Sequence, residues 1–181
     1  MEFVILSDAD FETFAKGHPQ GSFIQSMDLT RFQRARGQEV ELFGVMQGGS
    51  LIAAGKLVYS SNRLGYKIAD CAKGPLMDYS DPTVVRFVVE QLKKHAASKK
   101  AAELRISPNI RYIARDEEGA EHPEVEDNRP LLKEFEGLGF KHQGFDMNFA
   151  NINWMFVKQL NGIADSEELI MGMNYRTRKA I

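Results

Sequence analysis

Apolar residues along this chain change period several times, and each change predicts an element. Residues 3–6 form a short continuous apolar run, which predicts a buried strand. Ser7-Asp8 then caps a helix that sets Phe11, Phe14 and Ala15 at helical spacing. A second helix is expected from about residue 26 to 36. Residues 40–46 and 51–59 read as two strands separated by Gln47-Gly-Gly-Ser50, which is turn chemistry, so they should form a hairpin.

Residues 66–82 carry the most information. A strand ends there in a Lys73-Gly74-Pro75 turn, where Gly74 is free to take backbone angles that other residues avoid and Pro75 fixes its own. Asp81 caps the next helix with Pro82 at its first position, and Val85, Val88, Val89, Leu92 and Ala96 make one apolar face. That helix should end near Lys99-Lys100, where cations suit the helix dipole. Residues 103–106 predict a strand, and 128–139 a helix with Leu131, Leu132, Phe135 and Leu138 inward. Residues 154–160 predict a further strand, followed by a helix capped near Asp165. The final helix, 167–181, carries Arg176, Arg178 and Lys179 but ends without a Gly, Asn or Pro to terminate it, so the chain is expected to be a fragment. Hairpins alternating with helices argue for an α/β domain built on a mixed, α+β type of sheet.

Composition narrows the function classes. A chain of 181 residues with 43% hydrophobic content can bury one sizeable core. The formal charge of -2 gives no global attraction to nucleic acid or to an anionic bilayer, so phosphate binding must come from local cations. Cys71 is the one cysteine, which excludes an internal disulfide and fits a reducing compartment, with the cytoplasm as default. The start lacks the basic region of a signal peptide, and no apolar stretch reaches the length of an integral membrane segment. Between Asp116 and Asp127 stand seven acidic residues without Lys or Arg, which reads as a solvated loop.

Catalytic motifs are few. There is no Gly-x-Ser-x-Gly, and Cys71 has no neighbouring His and reads as a packed core residue. His18, His95, His122 and His142 show no metal-ligand spacing, and each reads as a surface or loop residue. Asp70 and Asp78 flank the Gly-Pro turn as a conceivable acid and base, although Asp78 reads better as a loop or capping residue. The cations are Arg31, Arg34 and Arg36 on the second helix, Lys73 in the turn and Arg105 in a strand. Lys73 and Arg105 stand out, because a cation beside an open turn or at a strand end can bind phosphate or carboxylate.

Taken in order, Gly21-Ser-Phe-Ile-Gln25, Ile52-Ala-Ala54, Lys73-Gly-Pro-Leu-Met-Asp78, Leu104-Arg-Ile-Ser-Pro108, Leu138-Gly-Phe140 and Arg176-Thr-Arg178 resemble the FemABX family. The resemblance implies a domain like GCN5-related N-acetyltransferases, the first of two in the family. It would occupy residues 1–160, with 161–181 beginning a helix toward an absent second domain. It implies transfer of an amino acid from aminoacyl-tRNA to the stem peptide of a peptidoglycan precursor, lipid-linked or UDP-linked, with no metal or redox cofactor. The isolated fragment would be inactive. Lys73 and Arg105 match the family as substrate-binding residues. Where relatives often carry a precursor-binding lysine on the second helix this chain has Gln33, with Arg31 or Arg34 as substitutes, and Ser107 stands where some carry Asp. A rival acetyl-CoA site would need a pyrophosphate loop, and the nearest stretch, Arg34-Ala-Arg-Gly37-Gln-Glu39, runs from helix to strand with Glu39 in the place of a small residue. A non-catalytic module that binds the precursor or a partner is the reading from a different class.

Overall fold

The computed structural model describes residues 1–116, 118–144 and 166–180. In chain order its elements are β1 (Glu2–Ile5), α1 (Asp8–Gly17), a 3-10 turn (Phe23–Gln25), α2 (Met27–Ala35), β2 (Glu39–Gln47), β3 (Ser50–Ser61), β4 (Lys67–Ala72), β5 (Leu76–Met77), α3 (Pro82–Ser98), β6 (Ala101–Ser107), α4 (Arg129–Gly137), α5 (Ser166–Gly172) and α6 (Tyr175–Ala180). The chain divides into two units, Met1–Lys141, which holds the sheet, and His142–Ile181, which holds α5 and α6.

The expected hairpin is the centre of the sheet. Gly48 and Gly49 take positive φ of 57° and 82°, the geometry of a tight strand-matching turn, and β2 pairs with β3 from Gln47↔Ser50 to Glu39↔Tyr59. The strand order is β1-β2-β3-β4-β6, antiparallel except for the parallel β4–β6 pair, and β5 rejoins β3 beyond the point where β4 leaves it. Helices cover both faces. On one, Val85, Val88, Val89, Leu92 and Ala96 of α3 bury against Phe43, Leu57, Ala69 and Cys71, as the period-3.6 pattern requires, and Leu131 of α4 joins them. On the other, Phe11 and Ala15 of α1 and Met27 of α2 bury against Leu42, Ala54 and Leu76.

The caps follow the sequence. Ser7 Oγ accepts from the Asp10 N–H at 3.1 Å, Ser26 Oγ from Leu29 at 3.2 Å, and Asp81 Oδ1 from Thr83 and Val84 at 2.8 and 3.3 Å. Three expectations change. The final helix breaks in two, because Gly172 is a poor helix former and Asn174 starts a new turn by accepting from Arg178 N–H at 3.1 Å. Leu132 is only partly buried and lines a groove beside Tyr112. The acidic segment is a hydrogen-bonded lobe whose cations come from its flanks and its own histidine. Arg115 pairs with Glu121, Arg129 with Glu121 and Asp127, Arg111 with Glu126, and His122 with Asp116 and Glu124. The strand expected at 154–160 and the cap at Asp165 lie outside the described residues.

His95 also departs from expectation, since it is largely buried on α3 and belongs to a clamp. The Glu41 carboxylate on β2 accepts from Tyr59 Oη at 2.7 Å, lies 2.8 Å from His95 Nε2 and bonds Lys99 Nζ, while Phe3 packs on the imidazole at 5.2 Å. Burial alone would raise the pKa of Glu41, but the hydrogen bonds from Lys99, Tyr59 and His95 outweigh it and bring it from 4.5 to about 2. A carboxylate depressed on folding stabilises fully above its unfolded value and loses that stabilisation as pH falls through its folded one. The clamp should therefore contribute up to about 3 kcal/mol at neutral pH, fading from pH 4.5 toward 2. In thermal denaturation Glu41→Gln should lower Tm by several degrees at pH 7 and by little near pH 2; a constant deficit across that range would refute the assignment.

Candidate functional site

The parallel pair β4–β6 ends at Ala72 and Ser107, and crevices beyond the carboxyl ends of parallel strands are where α/β sheets receive ligands. At this end the sheet splits. β4 pairs with β3 only as far as Val58↔Asp70, and β5 resumes at Ala54↔Leu76, which leaves the facing edges of β3 and β4 between those points unpaired with each other. Gln25 fills the gap. Its Oε1 accepts from the Lys56 N–H at 3.0 Å and its Nε2 donates to the Ala72 carbonyl at 2.6 Å, so one carboxamide stands in for a stretch of ladder. Gln25 is 1% exposed. The loop before it is fastened as well: Gln20 accepts from Met77 N–H at 3.3 Å, and Asn109 Nδ2 donates to the Gln20 carbonyl at 3.0 Å.

Gly74 has a different role from the one expected. The left-handed residue of the turn is Lys73, with φ of 54°, while Gly74 precedes Pro75 through a cis bond. Glycine is needed here for space, because a Cβ would stand 2.9 Å from both Cys71 Sγ and Gln25 Nε2. Lys73 N–H is bonded to Ser107 Oγ at 3.2 Å, which ties the turn to β6.

The predicted cations separate into two groups. Arg31 pairs with Glu12 and Asp28, and Arg34 makes a two-bond contact to Asp8 at 2.8 and 3.0 Å, so both hold α2 against α1 or its own first turn. Arg105 gives its fork to Glu103 at 2.8 and 3.0 Å, opposite Asp70, whose carboxyl burial pushes upward. Among Arg31, Arg34, Arg105 and Lys73, the four that the resemblance marks for substrate binding, Lys73 alone has no ion pair with a described residue, and burial lowers its pKa. Asp78 is a turn residue, accepting from Ser80 N–H and Oγ at 2.8 and 2.6 Å. Nearby, His18 is half-buried, and burial holds its pKa below the usual imidazole value against the pull of Asp78. Burial pushes the Cys71 thiol up, which removes it as a nucleophile.

Two residues carry this end of the sheet without having been singled out for a role. One is Gln25. The other is Lys56, 2% exposed on β3, whose Nζ donates to Gln33 Oε1 at 2.8 Å. An ammonium now comes from the strand to the position where the family resemblance would place a helix lysine. No carboxylate of a described residue pairs with it, and Arg34 adds like charge, so its pKa falls from 10.5 to about 8, chiefly through burial. The visible signal was a lysine within the apolar run Ala53-Ala-Gly-Lys56-Leu-Val58.

The architecture and motifs agree with what comparison shows. The FemAB family model matches residues 6–181, and the chain belongs to that family. Among relatives, the lipid II:glycine glycyltransferase of Staphylococcus haemolyticus (strain JCSC1435) is 27% identical over 80% of this chain and 32% of its own length. Aminoacyltransferase FemB of Staphylococcus epidermidis (strain ATCC 12228 / FDA PCI 1200) is 26% identical over 90% of this chain and 39% of its own. The chain thus spans about a third of these relatives. The crystal structure of FemX superposes with a TM-score of 0.66 at 22% identity, over 81% of this chain and 33% of FemX. A possible acetyltransferase from Clostridium difficile 630 gives 0.53 at 11% identity, over 87% and 98%, so the fold is one shared with acetyltransferases.

Two substitutions test the geometry. Gln25→Leu strands a buried N–H and a buried carbonyl and should cost about 3 kcal/mol in chemical denaturation, whereas a loss under about 1 kcal/mol would mean that the gap closes without it. Lys56→Met should raise stability at pH 7 by about 1–3 kcal/mol, since a lysine pKa lowered on folding penalises the folded state below that value. In the unsubstituted chain the penalty should fade, and stability rise, from pH 8 toward 10.5; the Met variant should lack that rise.

Proposed function

We propose that this chain forms the acceptor-binding part of an enzyme that transfers an amino acid from aminoacyl-tRNA to the stem peptide of a peptidoglycan precursor, in the cytoplasm. The observation that carries the reading is the pair Lys56 and Lys73. Gln25 bridges the Lys56 N–H to the carbonyl of Ala72, the residue before Lys73, and neither ammonium has a carboxylate partner among the described residues. Lys73 follows the carboxyl end of β4 and suits the anionic groups of a muropeptide precursor, while Lys56, 2% exposed and bonded to Gln33, adds positive potential behind it. Family membership and the names of the glycyltransferase and FemB relatives support the reaction class.

In that reaction the acceptor amine attacks the aminoacyl ester. A C–N bond forms, the ester C–O bond breaks, and the amine's proton leaves with the tRNA hydroxyl. This chemistry asks a protein mainly to orient two substrates and to stabilise the developing oxyanion. Such a task needs no nucleophile, in keeping with the inert Cys71. Arg105 could join the precursor contact by exchanging Glu103, because an exposed ion pair of this kind is weak. Arg31 and Arg34 would contribute through the α1–α2 seam. The binding-module alternative draws on the chain spanning about a third of its relatives' length.

In an enzyme that includes the rest of the relatives' length, Lys73→Ala should weaken precursor binding by about tenfold or more, the value of one charge-assisted hydrogen bond, with Tm unchanged. Calorimetric titration with a UDP-linked muropeptide measures the first quantity and thermal denaturation the second. Unchanged affinity would remove Lys73 from the site. The 181-residue chain alone should give no turnover with aminoacyl-tRNA and precursor; multiple turnovers would show that it holds the whole active site.

A further inference from the structure

Where β3 and β4 part, the sheet presents one carboxyl that no described residue engages. Ala69 and Cys71 of β4 and Leu104 and Ile106 of β6 pack with α3, so strand alternation puts Asp70, Ala72, Glu103, Arg105 and Ser107 on the opposite face. On that face α1 and α2 lie against β2 and β3, and Asp70, next along the sheet, is half-buried. It is the last residue of β4 paired with β3, opposite Val58, and it is in register with Arg105 of β6. The Ala72↔Ser107 pair that ends the parallel strands lies two residues on, about 7 Å.

The cation expected to pair with it is occupied. Arg105 gives both arms of its guanidinium to Glu103, at 2.8 and 3.0 Å, and no hydrogen bond from a described residue reaches the Asp70 carboxyl. Burial raises the pKa of Asp70, Arg105 pulls it back and Glu103 adds to the rise. Its other neighbours leave it alone: Val58 is apolar, Lys56 is turned under α2 to Gln33, and Cys71 packs on the α3 face. Asp78, the second carboxyl at the Gly-Pro turn, is engaged by Ser80. A half-buried carboxyl kept off its arginine weakens the fold, which points to a use outside it.

We propose that Asp70 meets the acceptor amine and takes its proton during transfer, a catalytic role that rests on the transfer reading above. Arg105, Lys73 and Lys56 make this end of the sheet unfavourable for an ammonium, so the acceptor binds as the neutral amine. Its nitrogen attacks the ester carbonyl and becomes positive and acidic as the C–N bond forms. The Asp70 carboxylate accepts that proton, the ester C–O bond breaks, and the proton passes to the departing tRNA oxygen, so the carboxylate is regenerated.

An enzyme that includes the rest of the relatives' length, supplied with aminoacyl-tRNA and a UDP-linked muropeptide, tests the assignment. Asp70→Asn should lower kcat at least about hundredfold, the usual contribution of a general base, while KM for the muropeptide and Tm stay near the parent's. The acid limb of the parent's kcat profile should lie above the ordinary aspartate value of 3.8, and Glu103→Gln should move it to lower pH, because the Glu103 charge raises the pKa of Asp70. An Asp70→Asn variant that turns over like the parent, or one that loses Tm and keeps its rate, shows a side chain that only accompanies Arg105 and overturns the proposal. An acid limb that Glu103→Gln leaves in place overturns it as well. A parent enzyme without turnover would remove the transfer reading and the role of Asp70 together, whereas an active parent indifferent to Asp70→Asn removes the role alone.

Discussion

One side-chain carboxamide decides whether this sheet can open where it does. β4 leaves β3 after Val58↔Asp70, and a split of that kind exposes a donor and an acceptor to an apolar interior. Gln25 offers one group of each kind at the right separation, and much of the local sequence follows from its presence. The loop before it must be fastened, which Gln20 and Asn109 do, and the turn after β4 must leave room, which Gly74 does. Lys73 then emerges where the strands have parted, with its backbone tied to β6 through Ser107.

The two faces of the sheet are built to different ends. The α3 face is apolar and is closed at its edge by the Glu41 clamp. The buried polar side chains among the described residues, Gln25, Thr30 and Lys56, all belong to the α2 side. A buried ammonium held by one neutral amide is destabilising by itself. Concentrating such groups beneath one helix leaves the opposite face to supply the stability that the site gives up.

Much of the fold was legible because it rests on local rules. Period 3.6 located α3, paired glycines located the hairpin, and Ser7 and Asp81 located two helix starts. What sequence could not supply was pairing across distance. Arg31, Arg34 and Arg105 look like free cations in the linear order, and only the fold brings Glu12, Asp8 and Glu103 into contact with them. The acidic segment looked uncompensated because its arginines lie just outside it, at 111, 115 and 129. Lys56 left a trace, a charged residue in an inward strand position, but its meaning depends on Gln33 arriving from a helix more than twenty residues earlier. In the linear order Gly74 stands out for its backbone freedom, whereas the constraint is the volume of Cys71 and Gln25, which no local pattern announces.

The Gln25 bridge has a polarity that its shape conceals. A carboxamide and a carboxylate occupy almost the same volume, yet only the former can donate to Ala72 while accepting from Lys56. Hydrolysis of that one amide, the slow ageing reaction open to any glutamine, would turn a donor into an acceptor against the Ala72 carbonyl and place a charge in a dry seam. The same enclosure that makes the exchange so damaging keeps water away from the bond, so the fold shields the chemical identity of the group on which it depends.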